Sequence, residues 1–305
     1  MEYLLLIVGI VLLVVGGDLL VKSAVGLANK FKVSPLLIGI TIVSFGTSAP
    51  ELIVSLKATL DGRSGIAVGN IIGSNIANIG LVLGLTAALR SVIINRKKYF
   101  ASWLIMFIST LMFYGFCLDG EIAKMEGFFF VAGLLAFISI SISYMRNEDE
   151  EEDYNVSMNP LLIFVFFILG TLGLYFGSEL LIVNASNIAV KMGVSEFIIG
   201  ATVVALGTSL PELVTSLIAS FKGQNSISIG NLLGSNVFNI FAVLGITSIV
   251  KPIPVDFFLL YIDIPVMLGF VIVLFLFMFL GKRMGLVEGL ALLMAYFTYI
   301  TYSFL

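Results

Sequence analysis

Residues 39–84 and 200–245 are two copies of one segment. They align without a gap at a constant offset of 161, with 24 of 46 positions identical. The shared positions include Gly, Ser, Thr, Pro, Glu and Asn, so common hydrophobicity does not explain the match. The segment is duplicated, and the correspondence runs backwards to GGDLLVK at 16–22 over GSELLIV at 177–183. Any fold for this chain must use the same unit twice.

The setting of the repeat is a membrane. The 305 residues are 59% hydrophobic and 11% charged, against about 25% charged in a soluble domain, and the mean hydropathy is +1.13. Apolar runs reach the roughly 20 residues that cross a bilayer. They predict ten spans, near 3–23, 35–59, 65–89, 99–118, 126–145, 160–182, 196–220, 226–250, 256–280 and 285–304. The opening MEYLLLIVGIVLLVVGG has no basic leader region and no A-x-A-like cleavage site, so it reads as a retained first span. The strongly polar run RNEDEEEDYNVSMN at 146–159 separates a first half, 1–145, from a second, 160–305. Each half holds five spans. An odd number makes the second half enter the membrane from the opposite side, so the expected fold is all-α, with two inverted five-helix repeats. Inverted repeats whose helices are broken by Gly and Pro at matching places are a signature of secondary transporters, with sites near the bilayer midplane.

Lys and Arg distribution sets the orientation. With the N-terminus outside, cytoplasmic loops carry Lys22, Lys30, Lys32, Arg90, Arg96, Lys97, Lys98, Arg146, Lys222, Lys282 and Arg283. Outer loops carry Lys57, Arg63, Lys124, Lys191 and Lys251. The expectation is a multi-pass protein of the cell membrane with both termini extracellular. The acidic run then lies in the cytoplasm. It lacks the D-x-[DN]-x-[DN]-G spacing of an EF-hand loop and reads as a solvated linker. The N-V-S pattern at Asn155 would not meet a glycosylation machinery there.

The repeat carries its chemistry in GTSAPE at 46–51 and GTSLPE at 207–212. Pro50 and Pro211 each remove a backbone donor, freeing the carbonyls of Gly46 and Gly207. Freed carbonyls are not tolerated in lipid unless they face a cavity or bind something. Thr47, Ser48, Thr208 and Ser209 add hydroxyl oxygens, and Glu51 and Glu212 add carboxylates. A carboxylate at the bilayer centre costs about 2.5–3.5 kcal/mol on insertion scales and marks a functional site. An all-oxygen set without N or S ligands suits hard cations such as calcium and sodium. In the following spans, Asn70, Gly73, Ser74 and Asn78 share one helical face, as do Asn231, Gly234, Ser235 and Asn239. Gly69, Gly73, Gly230 and Gly234 are expected to allow close helix packing, and Asn78 and Asn239 to face the ion site.

Other features carry less. Asp18 and Glu179 are a matched acidic pair, read as helix-end or interfacial carboxylates, and Asp263 has no counterpart and is placed near an interface. The net charge of −3 points to no nucleic-acid partner. Cys117 is the sole cysteine and histidine is absent, which removes disulfides, Cys/His metal sites and the usual pH switch. No nucleophile–base pair or phosphate loop is present, so neither an enzyme nor a bound cofactor is expected, and no obligatory protein partner is evident.

At the GTSxPE and GNxxGSN motifs the chain resembles the cation/calcium exchanger superfamily, its sodium/calcium exchanger branch above all. The resemblance implies a calcium site at Thr47, Glu51, Thr208 and Glu212. It implies flanking sodium sites lined by Ser44, Ser48, Ser74, Ala205, Ser209 and Ser235, with Ser44 and Ala205 acting through backbone carbonyls. Asn78 and Asn239 would border the middle position. Potassium-dependent relatives carry Asp in the second repeat; Asn at both places argues against potassium co-transport. The implied activity is electrogenic exchange of three sodium ions for one calcium by alternating access, with the ions and the lipid bilayer as its partners. A proton/calcium antiporter of the same fold is the alternative, and a cation channel a third.

Overall fold

A computed structural model describes residues 1–145, 158–193, 205–281 and 283–303. The protein is an all-α membrane protein. In chain order the helices are α1 (Glu2–Phe31), α2 (Pro35–Thr47), α3 (Ala49–Leu60), α4 (Ser64–Leu89), α5 (Arg96–Phe116), α6 (Lys124–Met145), α7 (Pro160–Lys191), α8 (Ala205–Thr208), α9 (Leu210–Phe221), α10 (Asn225–Val250), α11 (Leu259–Leu280) and α12 (Leu286–Ser303). Among the described residues eight helices are long and apolar enough to cross a membrane, and α2 with α3 forms a ninth span bent by 42°. The seventh expected span, 196–220, and the acidic run, 146–159, fall partly outside the described residues, and Lys282 lies outside them.

Two spans are longer than hydropathy predicts. α1 runs for 30 residues rather than stopping at 23, and α7 for 32 rather than stopping at 182. The reason is packing against protein. Ser23, Ala24, Gly26 and Ala28 are buried, and Ser23 Oγ donates to the Ile163 carbonyl at 2.9 Å. The pair is antiparallel: Gly9 lies against Gly177, Gly16 against Gly170 and Leu174, and Gly26 against Ile163. Asp18 and Glu179 therefore sit well inside long helices, not near their ends. Asp18 accepts from Lys22 at 2.7 Å and from Lys222 beyond the end of α9; Glu179 is exposed. Asp263 is buried and accepts a hydrogen bond from Tyr299 on α12 at 2.9 Å.

The bend between α2 and α3 falls at Ser48 (φ −87°, ψ 4°), and Ser209 adopts the same angles (φ −86°, ψ 1°) between α8 and α9. Pro50 and Pro211 stand in the first turn of the helix that follows. A missing N–H is harmless there to the new helix but ends the old one. Wide π-type turns interrupt α2 at Gly39–Val43, α4 at Asn78–Leu83 and α10 at Asn239–Leu244. Such turns recur at functional sites, and here two of them begin at the matched asparagines.

α10 is the centre of the molecule: every residue from Ser226 to Phe238 is buried. α2 crosses it at glycines. A methyl group on Gly230 would lie 2.8 Å from the Leu36 carbonyl, and one on Gly234 would overlap the Ile40 carbonyl and the Ser44 hydroxyl. The packing role expected of Gly230 and Gly234 holds. No described atom comes within 4 Å of the same positions on Gly69 and Gly73.

The halves interlock. α4 packs on α12 at Gly84 and Gly289, and α10 packs on α6 at Gly245 and Gly127. Two short antiparallel ladders join the halves: β1 (Val92–Ile93) with β4 (Arg283–Met284), and β2 (Glu121–Ile122) with β3 (Ile253–Pro254). Between α5 and α11, Trp103 packs on Phe275 with ring centres 4.4 Å apart and donates to the Val271 carbonyl at 3.0 Å. The polar contacts also sort by face. Glu2 meets Lys191 at 2.7 Å, where α1 begins and α7 ends. Asp18, Lys22 and Lys222 meet at the opposite end, as do Arg90 and the Phe221 carbonyl.

Candidate ion-binding site

The two broken helices and the two central helices bring the motif residues together. Glu51 and Glu212 are fully buried in the first turns of α3 and α9. Thr47, Ser48, Thr208, Ser209, Ser44, Ser74, Ser235, Asn78 and Asn239 are buried as well. Ala205 opens α8, three residues before Thr208.

Hydrogen bonds tie the halves at this point. Ser48 Oγ donates to Glu212 Oε1 at 3.2 Å, so a hydroxyl from the first motif reaches the carboxylate of the second. Thr47 Oγ1 donates to Asn231 Oδ1 at 3.0 Å and lies 3.2 Å from Ser235 Oγ. On the matching side Ser74 Oγ and Thr208 Oγ1 are 3.4 Å apart. The single hydroxyl hydrogen of Ser44 is shared between the Gly39 and Asn231 carbonyls, 2.8 and 3.0 Å from its Oγ. The Ser44 carbonyl accepts from the Ser48 amide at 2.9 Å and from Thr47 Oγ1 at 3.4 Å.

A supporting layer surrounds these residues. Asn70 Nδ2 donates to Ser55 Oγ at 3.0 Å, and Asn231 Nδ2 to Ser216 Oγ at 3.1 Å. The two pairs correspond at the repeat offset. Sequence reasoning gave Ser55 and Ser216 no role, although they are identical positions one turn beyond each Glu, and that was the signal available.

What the protein leaves unpaired defines the chemistry. Both oxygens of Glu51, Oε2 of Glu212, both amide atoms of Asn78, Oδ1 of Asn239 and Oγ of Ser209 are buried without a hydrogen-bond partner among the described residues. Neither Glu forms a salt bridge among the described residues. A buried charge is expensive unless paired or bound to a metal, and buried polar groups in native proteins are almost always satisfied. These oxygens fit a hard cation. Among the described residues no group of three or more His, Cys, Asp or Glu gathers anywhere. The shell around an ion here would therefore combine two carboxylates with hydroxyl, amide and carbonyl oxygens.

A sequence model of the sodium/calcium exchanger protein family matches residues 1–143 and 162–305. The chain belongs to that family. Among similar proteins, the putative antiporter CaxA of Alkalimonas amylolytica is 38% identical over 96% of this chain and 95% of its own length. The sodium/calcium exchanger MaX1 of Methanosarcina acetivorans is 32% identical, with coverage of 99% and 98%. A solved structure of the sodium–calcium exchanger NCX_Mj, soaked with sodium and calcium, superposes with a TM-score of 0.86 at 29% identity, covering 98% of this chain and 97% of that one. The sodium/calcium exchanger family is thus the frame for the paired Glu residues and the broken helices around them.

Proposed function

We propose that the protein is a secondary active antiporter that exchanges sodium for calcium by alternating access. The observation that carries this reading is that Glu51 and Glu212, one from each repeat, are fully buried with three carboxylate oxygens unpaired among the described residues, while Ser48 of the first motif donates to Glu212 of the second. Calcium takes about 6–8 oxygens, largely from carboxylates. Glu51, Glu212, Thr47 and Thr208 form the calcium site. Ser44, Ser48, Ser74, Ala205, Ser209 and Ser235 line flanking sodium sites, and Asn78 and Asn239 border the middle position. The fold is ten transmembrane helices in two inverted repeats, 1–145 and 160–305; the antiparallel packing of the matched helices α1 and α7 supports it. The protein resides in the cell membrane with both termini outside.

Sodium is the driving ion. A proton needs only a carboxylate, whereas sodium needs a full shell of neutral oxygens, and the doubled Thr–Ser pairs supply one. Three sodium ions against one calcium moves one net charge per cycle, worth about 2.3 kcal/mol per 100 mV. In sodium-loaded liposomes, calcium uptake is expected to follow the outward sodium gradient and to respond to a potassium–valinomycin potential. Uptake that persists without sodium and tracks an imposed pH gradient would replace this reading with a proton/calcium antiporter.

Asn239→Asp is expected to alter ion preference without abolishing exchange. A third carboxylate at the middle position either holds a proton or recruits another cation. Exchange measured against pH and against added potassium reads the change; two unaltered profiles would put Asn239 outside the ion shell.

A further inference from the structure

We propose that Asn75 is a positioning residue that fixes the Asn239 amide with its oxygen turned toward the ions. The inference rests on the exchanger reading and deepens it. Asn75, Asn239 and Met267 are all buried, at 1%, 0% and 0% exposure. Asn239 lies one turn beyond Ser235 and two beyond Asn231. Both of those side chains touch Thr47 of the broken helix, so they mark the face of α10 that looks into the site.

The orientation follows from which groups can donate. Asn75 Nδ2 lies 3.6 Å from the Met267 sulfur. A thioether only accepts, so the NH2 of Asn75 turns toward α11 and its Oδ1 turns away. That Oδ1 accepts from Asn239 Nδ2 at 3.1 Å. With its NH2 engaged, Asn239 can only aim its oxygen away from Asn75, and that oxygen is buried with no partner among the described residues. Acceptor sulfur, first amide and second amide thus form a relay with one consistent proton arrangement. Flipped, the Asn239 amide would present its two N–H donors to a cation.

Among the described residues Asn78 has no such relay. At the repeat offset the counterpart of Asn75 is Asn236, whose Nδ2 donates to the Leu232 carbonyl of its own helix at 2.8 Å. Asn78, the counterpart of Asn239, has neither amide atom partnered among the described residues. Two asparagines that look equivalent in sequence therefore differ. Asn239 is a fixed oxygen ligand, whereas no hydrogen bond among the described residues sets the Asn78 amide.

The test is a double-mutant cycle read by equilibrium binding of radioactive calcium to the purified full-length protein. Asn75→Leu is expected to weaken calcium binding about tenfold, within the range of coupling between contacting residues. In an Asn239→Leu background it is expected to add nothing. Met267→Leu, which conserves volume, is expected to weaken binding about threefold, again only when Asn239 is present; it carries the test if Asn75→Leu does not fold. Equal losses with and without Asn239, or unchanged binding in both single variants, would overturn the proposal and leave Asn75 as packing. Absence of calcium binding by the unmodified protein would overturn the exchanger reading itself, and this proposal with it.

Discussion

Glu51→Gln and Glu212→Gln are each expected to abolish calcium exchange in a protein that still folds. Gln keeps the size and one oxygen acceptor of Glu and removes the charge. The two carboxylates are the only acidic groups of the shell among the described residues, so one substitution halves its neutralisation of a divalent ion. Losing one of two carboxylate ligands is expected to lower calcium affinity by about a hundredfold, which corresponds to about 2.8 kcal/mol. Stability should move the other way. Glu51 has no counter-charge among the described residues and both its oxygens are unpartnered, so a neutral amide is easier to bury. Calcium flux in proteoliposomes, with melting temperature in detergent as the folding control, gives both readings. Near-normal flux in either variant would take that residue out of the site.

Gly234→Ala is expected to damage the fold itself. The added methyl would overlap the Ile40 carbonyl and the Ser44 hydroxyl at the crossing of α2 and α10. Overpacking costs about 1–3 kcal/mol, and backbone is the least able to yield, so the upper end of that range applies. The same crossing brings Thr47 onto Asn231 and Ser235, so calcium affinity falls with stability. Gly269→Ala, which meets no described atom within 4 Å, is the matched control. A melting temperature and affinity unchanged in Gly234→Ala would show that the two helices can separate without consequence.

Much of the site was legible because it is doubled. A Glu after Gly-Thr-Ser and Pro in one oily span is an oddity; the same string 161 residues later is a design, and the Glu, Thr and Ser residues it named do converge. The asparagines were legible only in part. Helical spacing put Asn78 and Asn239 on matching faces, but the feature that separates them lies on α11 at Met267, far away in sequence. The same holds for Asp263, whose partner Tyr299 belongs to a different helix. Helix lengths were misjudged for a related reason. Hydropathy measures what lipid tolerates, and the last turns of α1 are buried against α7, where Ser23 has a protein partner. The π-type turns at Asn78 and Asn239 have no sequence signature of their own.

The interlocking of the halves bears on how the chain is made. α6 completes the first 145 residues, yet its Gly127 face is shaped to receive Gly245 and Ser248, and β2 pairs with β3 near residue 253. At roughly 5–20 residues per second, the ribosome needs on the order of 5–20 s to supply those segments. During that interval five inserted helices wait in the bilayer with Glu51 beside a surface still to be built. Membrane insertion and final packing are therefore separate events for this protein. A chain ending at the acidic linker would lack the surfaces on which α4, α6 and β2 pack.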